Sequence, residues 1–252
     1  IIHLNKKKLA FNNKSKISII RPNFKKNIPN MGMKRDGKVG NLIVIFETSV
    51  VKTSYKNFIL EKKNEKDFER KMFFSKVLYK LNNKIYFVKN INSHQTIKII
   101  KKHNPILSIS FGTRKIFKDI IKASKFKIIN IHRGIISRYR GLDSEYWAAY
   151  HKDFKSIGTS LHFIDEDLDK GKLILEKRLK LKKNMRSYQL RYYLTLLIEN
   201  DLKKIIINIF KNKKINKKNI NIARYYSHIP LVLKKKACRD FNKLCMTLQN
   251  KI

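Results

Sequence analysis

The sequence predicts an α/β fold with a mostly parallel sheet, preceded by a small β-rich segment. Short apolar runs bounded by turn residues alternate with amphipathic stretches between about residues 73 and 210. Right-handed strand–helix–strand crossovers satisfy an alternation of that kind. Hydrophobic residues fill 42% of the 252 positions and aromatic residues 11%, enough to bury a core. In residues 1–50, Pro22, Pro29, Gly32, Gly37 and Gly40 crowd between apolar runs at 16–20 and 41–46, which read as strands.

The elements follow in order. Residues 54–71 are polar and charged, and merge into a helix whose apolar face is Phe73, Phe74, Val77, Leu78 and Leu81. A strand at 85–88 precedes a helix capped by Ser93 and carrying Ile97, Ile99 and Ile100. Next come a strand at 106–110, a helix at 114–124 and a strand at 126–131, which ends in Asn130-Ile131-His132. Asp143 or Ser144 caps a helix through Trp147. Strands at 159–164 and 173–177 flank a loop at 165–171. One long amphipathic helix starts at Ser187 and aligns Leu190, Leu194, Leu197, Ile198, Leu202, Ile205, Ile206 and Ile209. The organisation is then a β-rich segment 1–50, a charged linker or helix 51–72, an α/β domain 73–210 and a basic tail 211–252 with one ordered patch at 225–230.

Composition excludes several classes. Cys238 and Cys245 are too few for a disulfide scaffold and wrongly spaced for structural zinc, and the seven histidines are scattered, so no metal is expected. No apolar run reaches the roughly 18 residues of a membrane span, and no signal-peptide core opens the chain, which reads as cytoplasmic. Its first residue is Ile1 rather than Met, which fits a fragment. Fifty-nine Lys+Arg against 18 Asp+Glu give a net charge of +41. A nucleic-acid partner would explain that excess, and so would the Asn/Ile/Lys drift of AT-rich coding. The lysines are spread along the whole chain rather than gathered in one stripe, which favours drift.

In an open α/β sheet, ligands bind beyond the carboxyl ends of the strands, where polar residues close an apolar run. Asn130 and His132 lie two apart on such a strand and so project to the same side. Asp169 sits in a second loop with acidic neighbours Asp165, Glu166 and Asp167. An amide, an imidazole and a carboxylate suit acyl-type transfer: the first two stabilise a developing oxyanion, and the third raises the imidazole pKa or moves a proton. Taken alone, a strand-end histidine is as readily structural, and Asp near Gly is ordinary turn chemistry.

The surrounding string is more specific. Asn130-Ile131-His132 is followed by Arg140-Gly141 and later by Leu168-Asp169-Lys170-Gly171. This set, in this order and spacing, resembles the folate-dependent formyltransferase family over about residues 73–210. That family takes in glycinamide ribonucleotide, methionyl-tRNA and amino-sugar formyltransferases. The resemblance implies a Rossmann-like formyltransferase domain, with 10-formyltetrahydrofolate as co-substrate and Asn130, His132 and Asp169 as the catalytic trio. It implies that Phe111, Gly112, Thr113, Arg114 and Ile116, with Asp165 and Asp167 opposite, hold the folate. Arg140, Gly141, Tyr146 and His162 would face the amine acceptor, His162 having a cross-strand structural role as its alternative. Ile135-Ile136-Ser137 lacks the proline usual after the histidine, which puts the rigidity of that loop in question. Residues 142–147 differ from those of the transfer-RNA enzyme, and the tail is too short for that enzyme's additional barrel, so an amino-sugar nucleotide or related small amine is the expected acceptor. Glycinamide ribonucleotide and methionyl-tRNA are the alternatives, and an inactive polyanion-binding module is the alternative from another class.

Residues 21–47 resemble a different family, the C-terminal β domain of DnaJ-type co-chaperones, through Gly32-Met33-Lys34 and Gly40-Asn41-Leu42. No His-Pro-Asp signature of a J domain is present, so co-chaperone activity is not implied. The run at 41–46 therefore has two readings: part of such a remnant, or a divergent first strand of the transferase domain.

Overall fold

The computed structural model describes residues 43–47, 59–74, 84–105, 107–124, 128–164, 172–210, 213–219, 221 and 223–249. Its elements are β1 (Ile43–Glu47), α1 (Ile59–Phe74), β2 (Lys84–Val88), α2 (His94–His103), β3 (Ser108–Phe111), α3 (Lys118–Ala123), β4 (Ile128–His132), β5 (Arg140–Gly141), α4 (Ser144–Tyr150), β6 (Gly158–Ile164), β7 (Leu173–Arg178), α5 (Leu190–Leu196), α6 (Glu199–Phe210), β8 (Tyr225–Tyr226) and α7 (Leu231–Thr247). β1 pairs with β2, β3 with β4 and β5 with β8, all parallel. β6 and β7 then close the central sheet, order β3-β4-β6-β7, in antiparallel fashion. The expected α/β fold with mostly parallel pairing is the one observed.

β4 organises the core because its two faces differ. Ile129 and Ile131 point with Leu161 and Phe163 of β6 into a cluster closed by Ile198, Leu202 and Ile205. On the other face, Ile128 packs with Ile100, Ile116 and Ile120. Ile45 of β1 leans on this second cluster, and Glu47 pairs with Arg114 at 2.5 Å. β1 is thereby tied to the end of β3.

Local chemistry explains where elements start and stop. Ser93 accepts the Thr96 N–H and opens α2, which ends at Asn104 in the left-handed region (φ 41°) before Pro105. The helix expected over 114–124 begins only at Lys118. Asn92 accepts from Phe117 N (2.8 Å) and donates to Lys115 O (2.9 Å), which holds that stretch extended. The long helix expected from Ser187 is a 3-10 turn (Ser187–Gln189) followed by α5 and α6. The Thr159 hydroxyl takes the Leu194 carbonyl at 2.7 Å, which an unbroken helix would offer to the Ile198 N–H. The charged stretch after residue 54, expected as a linker or helix, contains α1, and the expected apolar face beyond Phe74 lies outside the described residues.

The largest departure is at the C-terminal end. Among the described residues of the expected basic tail, α7 buries Ala237, Cys238, Phe241 and Cys245 against Tyr146, Ala148 and Ala149 of α4. Lysines and arginines occupy its outer side, so the helix is amphipathic through small residues rather than through leucines. Both cysteines are free and buried. Of the segment 1–50, only β1 lies within the described residues.

Candidate active site

Asn130 and His132 project from the carboxyl half of β4 on the face opposite Ile129 and Ile131. The register sets Asn130 across from His162 and His132 across from Ser160, with Glu176 of β7 across from Ser160. Ser110 of β3 flanks Asn130 on the other side. A seam of polar side chains therefore crosses the sheet where each strand's apolar run ends.

Each group in the seam is oriented by a hydrogen bond. Asn130 Nδ2 lies 3.0 Å from His162 Nε2, and His162 Nδ1 lies 3.1 Å from the Phe163 carbonyl. A carbonyl only accepts, so His162 carries its proton on Nδ1, and Nε2 receives the Asn130 N–H. Burial lowers the His162 pKa, against the raising effect of that carbonyl. His132 Nε2 faces Tyr139 O at 3.3 Å and Ser144 Oγ at 3.2 Å. Burial, then repulsion from His162, pushes its pKa down to about 4, against the raising effect of the Tyr139 carbonyl. The charged imidazole expected from sequence therefore depends on a nearby carboxylate such as Asp169, which lies outside the described residues with Asp165, Asp167 and Gly171.

The loop after His132 is rigid without its proline. Ser160 Oγ donates to Gly134 O (2.6 Å) and accepts from Ile136 N (3.0 Å). Glu176 accepts from Ser137 N (2.9 Å) and Ser137 Oγ (2.8 Å). Ile135 is fully buried beneath the loop. At Gly134 a Cβ would lie 2.6 Å from His132 Nε2 and 2.6 Å from Ser144 Cβ, so only glycine lets ring and helix meet there. Gly134, Ser144, Ser160 and Glu176 are the supporting residues that sequence reasoning missed. A signal for Ser160 and Glu176 existed only in the strand register, which a single sequence does not fix.

The other predicted site residues divide. Gly112 (φ 63°) turns the chain after β3, with Ser110 Oγ and Thr113 Oγ1 2.8 Å apart. The Arg133 guanidinium covers the Phe111 ring at 5.1 Å. Three positions have side chains engaged within the fold. The Arg114 guanidinium is paired with Glu47, Ile116 is core, and Tyr146 is buried beneath the Lys234 ammonium, 4.1 Å from its ring. Arg140 and Gly141 form β5, and Arg140 stacks on Tyr225 at 5.8 Å. Gly141 has φ +105°, and a Cβ there would lie 2.1 Å from Tyr226 O, so it is glycine for backbone approach.

Beside the seam lies a second set of charges. Arg191 reaches Glu65 (3.5 Å) and Glu69 (3.4 Å) of α1. Glu145 is buried, which raises its pKa against the pull of Arg133. Burial also lowers the Arg133 pKa to about 10. Among the described residues no group of three His, Cys, Asp or Glu could hold a metal ion, and no helix is long and apolar enough to cross a membrane.

A strand-end amide and imidazole side by side on one face of an α/β sheet are the pairing that stabilises an oxygen gaining charge in group transfer. Residues 42–194 match the model of the family described as Formyl transferase, and the chain belongs to that family. The match begins ahead of β1, which therefore lies inside the family segment. The residues ahead of 42 that carry the co-chaperone resemblance lie outside the described residues. The chain is 32% identical over 147 residues to the bifunctional polymyxin resistance protein ArnA of Wigglesworthia glossinidia brevipalpis, covering 57% of this chain and 22% of that protein. It is 30% identical over 168 residues to a methionyl-tRNA formyltransferase of Prochlorococcus marinus, covering 63% and 49%. A HypX variant from Aquifex aeolicus shares the fold with a TM-score of 0.54 and 14% identity, over 80% of this chain and 35% of that one. The chain spans about half or less of the length of the curated relatives it matches.

Proposed function

We propose that the protein transfers a formyl group from 10-formyltetrahydrofolate to the amine of a small acceptor, an amino-sugar nucleotide or related metabolite. The observation that carries the reading is the pair Asn130 and His132, side by side on β4 and each oriented from behind. Asn130 spends one N–H on His162, and its second N–H and Oδ1 have no partner among the described residues. His132 spends Nε2 on the protein and keeps Nδ1 without a partner among the described residues. An unpaired donor beside an unpaired ring nitrogen fits a carbonyl oxygen that gains charge as an amine adds to its carbon.

Bound folate supplies the activated formyl carbon. The Asn130 N–H and His132, charged once it has taken up the proton, hold the oxygen, while Asp169 assists removal of that proton from the attacking nitrogen, through water, and supports the His132 charge. The covalent reach of the loop allows this role: Ile164 lies opposite Ile128, and five further residues of chain span up to about 17 Å. Gly112 to Thr113 offers backbone to the pterin, with Phe111 at its edge. Membership of the family supports the formyl chemistry. The 30% identity to a methionyl-tRNA formyltransferase keeps that acceptor in the test.

The test incubates purified protein with 10-formyltetrahydrofolate and, separately, amino-sugar nucleotides, glycinamide ribonucleotide and methionyl-tRNA, and follows the formylated product. His132→Ala and Asp169→Asn are each expected to cost about 10²–10³ in rate. Unchanged turnover in both variants would overturn the assignment.

A further inference from the structure

The hydroxyl of Ser144 is buried at the start of α4 and faces the Nε2 edge of His132, where no ligand is needed to explain it. Ser144 is 1% exposed. Its Oγ lies 3.2 Å from His132 Nε2, and the Tyr139 carbonyl approaches the same nitrogen at 3.3 Å. The carbonyl can only accept, so the ring proton sits on Nε2 and is shared between the two oxygens. Gly134 permits this contact, since a Cβ there would lie 2.6 Å from both His132 Nε2 and Ser144 Cβ.

We propose that Ser144 is a positioning residue for His132: with the Tyr139 carbonyl it fixes the Nε2–H tautomer and leaves Nδ1 as the free lone pair facing the reactants. The inference rests on reading His132 as the histidine of formyl transfer, and it assigns the proton's path. The acceptor nitrogen bonds to the formyl carbon and releases a proton, which passes to Nδ1. His132 is then an imidazolium, with its Nδ1–H on the oxyanion and its Nε2–H on Ser144 and Tyr139. As the bond from the formyl carbon to the donor's nitrogen breaks, that nitrogen takes the proton from Nδ1. The ring returns to its starting tautomer, and no other reactant is consumed.

The experiment compares wild-type and Ser144→Ala protein labelled with ¹⁵N-histidine. The wild-type His132 resonances should report one tautomer, protonated at Nε2. In Ser144→Ala they should move toward a mixture, with kcat falling about threefold to tenfold and the acceptor KM unchanged. Gly134→Ala, which drives the ring off its seat, should disturb the same resonances. An unchanged tautomer in Ser144→Ala overturns the proposal whatever the activity does. Wild-type protein without turnover on any amine, but with a Ser144-dependent tautomer, would sink the transfer reading and leave the positioning of His132 standing.

Discussion

Two segments far apart in the chain, 128–144 and 224–247, meet along the rim of the site and contribute in opposite ways. The first presents side chains: Asn130 and His132 project from a strand whose other face is fully apolar. The second presents mainly backbone. Arg224 and Tyr226 carbonyls accept from Arg140 and Leu142, the Ser227 carbonyl accepts the Trp147 indole N–H at 2.8 Å, and Ile229 N donates to Asp143 at 3.2 Å. Asp143 is held in the left-handed region (φ 51°) directly before Ser144. A non-glycine residue there costs free energy that its surroundings must offset, and His228 with Ile229 provides the carboxylate's partners. The amide and imidazole of the proposed site thus come from one segment, while the other clamps the helix that carries Ser144.

That division can be broken most forcefully at Phe241, the largest fully buried side chain of the molecule as described. Phe241→Ala removes the packing of α7 beneath α4 and should cost about 3–5 kcal/mol, read by chemical denaturation. His132→Ala should lose activity at a smaller stability cost, because its ring is half-buried and belongs to none of the apolar clusters. Equal stability losses in the two variants would mean that the clamp and the presented residues are not separable.

A smaller effect tests the loop between them. Glu176→Ala leaves Ser137 N and Oγ without their acceptor, and an unsatisfied buried donor costs about 1–3 kcal/mol. The expected result is a lower denaturation midpoint together with faster hydrogen exchange at Ser137, and unchanged exchange within α7. Uniform acceleration across α7 would show that the loop is not an independent unit.

Much of the presented half was legible from sequence, and little of the clamp was. Alternating Ile and polar residues fixed the face of Asn130 and His132, and the apolar stripe from Leu190 to Ile209 located the covering helices. The break at Leu197 was not readable, since it depends on a hydroxyl from β6 that takes a helix carbonyl. Helix α7 escaped because Ala237, Cys238 and Cys245 are weakly apolar and sit among lysines. The partners of Arg114 and Tyr146 were unreadable for a related reason: Glu47 and Lys234 lie 67 and 88 residues away. Position within a motif says which residue is present, whereas a partner across the fold decides whether it faces a ligand.

The weakest expected effect concerns pH, and it tests the two histidines of the seam together. Both have pKa values below the usual 6.5, His132 down to about 4, with burial the leading cause in each case. The unfolded chain therefore binds protons that the folded chain refuses as pH drops through 6.5. Stability contributed by neutral, buried rings is complete above that value and declines as pH falls toward the folded pKa of His132. Protonation at His162 Nε2 also removes the acceptor of the Asn130 amide, so the decline is coupled to the orientation of that amide. Melting temperatures measured from pH 7 to pH 5 should fall in the wild type and fall less in His162→Gln, which keeps a hydrogen-bonding side chain but does not titrate. A slope identical in both proteins would assign the pH dependence to groups outside the seam. A wild-type melting temperature that rises as pH falls would mean that a carboxylate keeps His132 protonated in the folded state, which would make that carboxylate, rather than burial, the group that sets the charge of the site.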